Sequence, residues 1–196
     1  MPKLKEETSE KNRKQILEAA EECFARDGFH KTNIRQIATE AGLSPGNLYR
    51  YFSSKDELVK AYVQYSFEDI SDSLSYISDQ RNFMKGLKTW CKEYIRESAD
   101  IKIAALEMEI ASEALHNSEI MEIIHIQGNA LLVKFGNMLK EAQRKELLEM
   151  SLDSQLTANA IIGTLDHFIS NCLFQKGYTI KKAQKDAEKV ITTLIR

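Results

Sequence analysis

From Ile16 onward the apolar positions recur every three or four residues and almost nowhere every second one, which is the period of helices and not of strands. Residues 9–26 place Ile16, Ala20, Cys23 and Phe24 on one face, and Asp27-Gly28 closes the segment. Thr32 can cap a short helix whose apolar face is Ile34, Ile37, Ala38 and Ala41, and Gly42 can end it in the left-handed conformation. Ser44 offers a second cap, Pro45 suits a first helical position, and the helix they open runs to about Tyr51. Ser54 and Glu57 form a capping box for a helix that carries Leu58, Val59, Ala61, Tyr62, Val63, Tyr65 and Phe67 to about Leu74.

Five further helices follow. Residues 82–98 align Phe83, Leu87, Trp90, Tyr94 and Ile95, and residues 101–115 turn Ile101, Ala104, Ala105, Met108, Ala111 and Leu115 inward. Asn117 or Ser118 caps a helix over 119–144 with an apolar arc wide enough for burial on more than one side. Residues 153–175 carry one strongly apolar face and one small, mildly polar face. Residues 180–195 carry a single stripe from Ile180 to Leu194, and Gly177 and Thr179 punctuate the two. Residues 1–10 read as a frayed polar tail.

The stretch TNIRQIATEAGLSPGNLYRYFSSKDEL, residues 32–58, is two short helices and the start of a third, the helix-turn-helix pattern of DNA readers. At 100° per residue Leu48 and Phe52, with Pro45, form the inward face of its second helix. Gly46, Asn47 and Arg50 point the other way, and Tyr49 and Tyr51 fall on opposite shoulders. Asn and Arg can pair with base edges, hydroxyls on the shoulders can reach the phosphates of both groove walls, and Gly46 lets the backbone come close. Arg35, on the outward side of the preceding helix, is a further phosphate candidate, as is the cluster of Lys11, Arg13 and Lys14.

This run resembles the signature of TetR/AcrR-type transcriptional regulators, and the segment ILEAAEECFARDGF, residues 16–29, is similar to the first helix of that family. The resemblance covers about the first third of the chain. It implies an all-α fold: an N-terminal three-helix helix-turn-helix DNA-binding domain, residues 1–55, followed by a helical-bundle domain for effector binding and dimerisation, residues 56–196. It implies phosphate contacts from Thr32, Ser44, Tyr49, Tyr51 and Lys55. It further implies a homodimer on double-stranded DNA with a palindromic operator, a four-helix interface from the last two helices, and a cavity for a small-molecule effector. Interface candidates are Gly163, His167, Asn171, Ala187, Ile191 and Leu194. Pocket candidates are the aromatic, sulfur-bearing or out-of-place polar groups Trp90, Tyr94, Glu107, Met108, Met121, His125 and Phe168, among which an aromatic pair beside a carboxylate could hold a cation.

Composition narrows the remainder. With 43% hydrophobic residues the chain can bury a core, and the net charge of −2 argues against wholesale coating of nucleic acid. Residues 1–60 carry 11 Lys/Arg against 10 Asp/Glu, so DNA affinity has to come from placement and not from excess. Cys23, Cys91 and Cys172 lie far apart, which fits a reducing cytosol and leaves a thiol sensor as one alternative. A DNA-binding adaptor whose C-terminal half takes a protein partner is the other. The polar N-terminus has no apolar signal core and no run reaches ~20 apolar residues, so the expectation is a cytoplasmic protein without a membrane partner. The four histidines are scattered and no nucleophile, metal or phosphate-loop pattern occurs. The sequence therefore points to no catalytic residue, no metal, no cofactor and no enzyme.

Overall fold

The computed structural model describes residues 2–79 and 82–195, the side chains of 2–8, 78 and 79 excepted. The fold is all-α. Among the described residues the helices are α1 (Pro2–Asp27), α2 (Ile34–Glu40), α3 (Pro45–Leu48), α4 (Lys55–Ser73), α5 (Ser75–Asp79), α6 (Phe83–Ser98), α7 (Ile101–Ala114), α8 (Ser118–Arg144), α9 (Ser154–Phe174) and α10 (Ile180–Leu194). The sole strand-like feature there is an isolated antiparallel bridge between Met150 and Ile195.

Side-chain caps open many of these helices, and those of Ser44, Asn117 and Thr179 are the ones the sequence pattern expects. Ser44 accepts from the Asn47 N–H, Asn82 from Lys85, and Thr179 from Lys182. Asp153 accepts from Gln155 and Leu156, and Asn117 from Glu119 and Ile120. Each such cap contributes about 1 kcal/mol. Gly42, at φ +65°, and Gly177, at φ +79°, take the left-handed turns that end their segments.

Several sequence expectations are corrected. Residues 2–10 of the expected frayed tail belong to α1; Lys, Leu and Glu there are good helix formers and Pro2 occupies a first-turn position. Met1 and the side chains up to Thr8 lie outside the described residues. Asn33, not Thr32, caps α2: its carboxamide accepts from the N–H groups of Arg35 and Gln36, and Gln36 returns a bond to the Asn33 N–H. The second reader helix is only Pro45–Leu48, continued to Phe52 by tight turns. After α8 the left-handed residue is Glu146, at φ +57°, where no glycine marks the turn.

The chain divides into two compact units. Residues 1–66 with 105–125 make one, and residues 67–104 with 126–196 make the other. This division by compactness cuts the chain differently from the functional one expected at residue 55, because α4 runs without a break through that point and residues 105–125 join the reader's unit. In the first unit α1 packs on α2 and α2 on α3. Ile16, Leu17, Ala20 and Phe24 of α1, Ile37 and Ala38 of α2, Leu48, Phe52, and Leu58 and Val59 of α4 are all buried. Phe24 meets Phe29 at 5.5 Å and Tyr62 at 5.9 Å between ring centroids.

The second unit is built round one core. Leu87, Trp90 and Ile95 of α6, Leu131, Phe135 and Leu139 of α8, Ile161 and Leu165 of α9, and Ala187 and Ile191 of α10 belong to it. Phe135 is fully buried and lies 5.5 Å from the Trp90 ring. Phe135→Ala is expected to lower unfolding stability by about 3–5 kcal/mol, the usual cost of removing a buried phenyl ring and leaving a cavity. Urea denaturation measures it, and a loss under about 1 kcal/mol would mean that this core does not limit stability.

Candidate nucleic-acid interface

The reader is held from beneath. Leu48 and Phe52 are buried at 0% and 2% exposure, and Arg13 lies over the Phe52 ring at 5.3 Å. Asn12 donates to the Tyr51 hydroxyl at 3.0 Å, Gln15 donates to the Ala41 carbonyl at 2.8 Å, and Arg26 pairs with Glu40 at 2.9 Å. Thr32, 2% exposed, donates to the carbonyls of Cys23 and Gly28 and so fastens the loop after α1. Asn12 and Gln15 were not singled out by the sequence; one turn apart on α1, they read there as a solvated edge.

Above this base lies the accessible part. Ser44, Pro45, Gly46 and Arg50 are exposed, Asn47 is half-buried, and Tyr49 is 53% exposed. No atom lies within 4 Å of the position a Cβ on Gly46 would take, so another backbone can approach there. Pro45 is not part of the buried seam expected of it, since at the first helical position it stands at the rim. Arg35 is exposed on α2, in a shallow polar depression of about 510 Å³ that it shares with Asn33, Gln36 and Thr39.

Three of the expected phosphate groups have other duties. Thr32 is enclosed, as described. Tyr51 is half-buried with its hydroxyl engaged by Asn12. The Lys55 ammonium donates to the Phe29 carbonyl at 2.6 Å and to the His30 carbonyl at 3.3 Å, and sits 4.8 Å from the Phe29 ring centre. Burial pushes the Lys55 pKa down, while the carboxylates of Glu109 and Glu113 pull it back up. Glu109 accepts from the Phe29 N–H at 2.5 Å. The Phe29 peptide is therefore gripped on both sides, by a carboxylate from α7 and an ammonium from α4. No sequence signal pointed to Glu109, an ordinary acid on a helix read for its apolar stripe.

That stripe is turned from its expected setting. Ala104, Leu106 and Ala114 are buried, whereas Ile101, Met108 and Leu115 are 68%, 48% and 73% exposed. Glu109 and Glu113 instead occupy half-buried positions on α7, where Glu109 bonds the Phe29 backbone. A wheel that counts only apolar residues cannot see that preference.

The pocket candidates are divided between the two units. Trp90 and Tyr94 stack at 5.3 Å in a cleft of about 440 Å³ in the second unit. Phe168, in that same unit, instead stacks on Tyr178 at 6.3 Å. Glu107, Met108, Met121 and His125 are exposed members of the first unit. Of the interface candidates, Gly163 and His167 are exposed, and Asn171 pairs with the His167 ring at 3.1 Å. Ala187 and Ile191, each 1% exposed, are consumed by the protomer's own core, and Leu194 packs against it. The apolar surface that α9 leaves exposed is at Leu156 and Phe174, 51% and 71%.

The thiols are ill suited to sensing. Burial pushes Cys91 up to about 12 and raises Cys23 and Cys172, which disfavours the reactive thiolate. Among the described residues no helix is long and apolar enough to cross a membrane.

A buried two-helix base that presents a short helix with Asn47, Tyr49 and Arg50 outward defines a helix-turn-helix DNA reader. Residues 16–62 match the family model described as bacterial regulatory proteins, tetR family. The HTH-type transcriptional regulator TtgR of Pseudomonas putida is 28% identical over 181 residues, 88% of this chain and 85% of its own. The fold is shared with a TetR transcription regulator from Haloarcula marismortui, at TM-score 0.75 and 14% identity over 95% of this chain and 100% of that one. It is also shared with the transcriptional regulator FadR from Bacillus subtilis in complex with stearoyl-CoA, at TM-score 0.70 and 21% identity over 93% and 98%. Residues 16–62 are thus similar to the reader of TetR-family proteins, and the chain is a DNA-binding transcriptional regulator.

The free guanidinium of Arg35 and the engaged ammonium of Lys55 give different expectations. Arg35→Ala is expected to reduce the slope of log affinity for DNA against log salt by about 0.9, the value of one lost phosphate contact. Lys55→Ala is expected to leave the slope unchanged and to lower the thermal midpoint. Equal slopes for wild type and Arg35→Ala would remove Arg35 from the interface.

Proposed function

We propose that the protein is a homodimeric repressor that holds a palindromic operator with one reader per half-site and leaves it when a small-molecule effector binds. The observation that carries this reading is the outward set of exposed Gly46, Tyr49 and Arg50 with half-buried Asn47, on α3 and the turns that continue it, whose inner side, Leu48 and Phe52, is fully committed to the core. Asn47 and Arg50 read base edges, and Ser44, Tyr49 and Arg35 fix the register on phosphates. Residues 1–55 act as the reader and 56–196 as the part that pairs two copies and takes the effector. The exposed face of α9, with Leu156, Gly163, His167 and Phe174, suits pairing, since a helix leaving Leu and Phe in water gains from a second copy. The stearoyl-CoA held by FadR supports a small-molecule ligand for this fold. The working compartment is the cytoplasm.

An effector releases DNA only by the difference in its affinity for the DNA-competent and DNA-incompetent conformations. DNase footprinting on the DNA flanking the protein's own gene tests the first half of the reading. Protection of a palindrome is the expected outcome, and absence of any protected palindrome there or in a genome-wide selection would overturn it. Within a protected site, Tyr49→Phe is expected to weaken all sequences alike. Asn47→Ala and Arg50→Ala are expected to cost about 1–3 kcal/mol and to relax preference at particular base pairs. Sequence-blind losses from all three would cancel the assigned roles.

A further inference from the structure

We propose that the cleft lined by the end of α4, by α5 and by α6 binds an organic cation with an apolar or aromatic body. Its volume, about 440 Å³, lies within the roughly 300–1,000 Å³ of small-molecule sites. Its chemistry is one-sided. Asp69, Glu93 and Glu97 line it, and among the described residues no lysine or arginine does. The aromatic wall is Trp90, 5% exposed, with Tyr94 stacked on it at an interplanar angle of 25°, and Tyr76, 46% exposed.

The indole is fixed and backs the aromatic wall. Trp90 Nε1–H donates to Ser73 Oγ at 2.8 Å, which spends its one hydrogen-bond donor and sets its plane. Tyr94 stacks on that ring and Phe135 packs 5.5 Å from it, so the ring faces left for a ligand are those of Tyr94 and Tyr76, which attract positive charge. The three carboxylates are not equivalent. Arg96 pairs with Glu93 at 2.6 Å and with Glu97 at 3.1 Å, so those two are partly neutralised. Asp69, on the opposite wall, has no ion pair among the described residues. An anion in this cleft would meet three carboxylates and, among the described residues, no lining cation. A neutral ligand would use the rings and leave the Asp69 charge uncompensated. A cation with an apolar body satisfies both the rings and Asp69. This inference identifies the ligand class for the effector-released reading and rests on that reading for its regulatory consequence, though not for binding itself.

Trp90 is the single tryptophan of the chain, so its emission reports on the cleft directly. The full-length protein is titrated with tetraphenylphosphonium and, separately, with tetraphenylborate, which has the same shape and the opposite charge. The phosphonium is expected to change Trp90 emission saturably, and the borate is not. Asp69→Asn is expected to weaken phosphonium binding about 5- to 10-fold, in line with one partly desolvated charge interaction. Tyr76→Ala, at an exposed site that leaves the core intact, is expected to weaken it as well. Equal binding of both ions, no saturable response to the phosphonium, or unchanged affinity in both variants would overturn the proposal. Charge-selective binding that leaves operator affinity unaltered would uphold the cleft and overturn release by the effector.

Discussion

A helix of four residues cannot hold its own shape in water, since the cost of nucleating a turn exceeds what so few hydrogen bonds return. The helix that presents Asn47, with Arg50 in the turn that continues it, is of that length. Its geometry is therefore borrowed. Leu48 and Phe52 supply the buried side, and α1 supplies the straps: Asn12 to Tyr51, Gln15 to the end of α2, and Arg13 across Phe52. The exposed groups can be aimed at DNA because nothing on the inner side is left to move. Recognition depends on this borrowed rigidity more than on any single contacting residue.

The same economy governs charge. With 11 basic and 10 acidic residues in the first sixty, long-range attraction to DNA is weak. Several basic groups are occupied inside the protein. Arg26 is paired with Glu40 and Asp27, and Lys55 serves two carbonyls and a ring. Exposed Arg35 and Arg50 have more leverage than they would in a strongly basic domain. A dimer that presents each of them twice multiplies that leverage without adding charge elsewhere.

Much of the fold was legible because it is local. Cap residues and 3.6-residue spacing located the long helices after α1 to within a residue or two, and Ser44-Pro45 and Gly42 located the reader's turn. What was not legible depends on partners distant in sequence. Thr32 looks like a cap, yet its hydroxyl bonds carbonyls of the α1 end, and neighbouring Asn33 takes the capping role. Ala187 and Ile191 sit in a stripe that could face a second copy or the chain's own core, and a wheel cannot choose between the two. The pocket candidates were picked by residue type. Chain topology sends Trp90 and Tyr94 to one unit and Glu107, Met108, Met121 and His125 to the other, while Asp69, Tyr76 and Glu93, unremarkable in sequence, line the cleft.

The membership of the reader's own unit carries a mechanical consequence. Residues 105–125 lie far downstream in sequence, yet they form part of the compact body that holds α1 to α3. Through Glu109 they fix the N–H of Phe29, whose carbonyl is fixed by the first residue of α4. Gly28, at φ +85°, leaves the room this needs: a Cβ there would lie 3.2 Å from the Glu109 carboxylate. The loop between α1 and α2 thus has two handles, one on α7 and one on α4. A shift of α7 that withdrew the Glu109 carboxylate would leave a backbone N–H without its partner and free the turn on which α2 begins. A carboxylate–amide bond is strong enough to transmit such a displacement and local enough that side-chain motion of about 1 Å would break it. The reader thus combines one firm surface, at α3, with one side-chain tether, at Phe29.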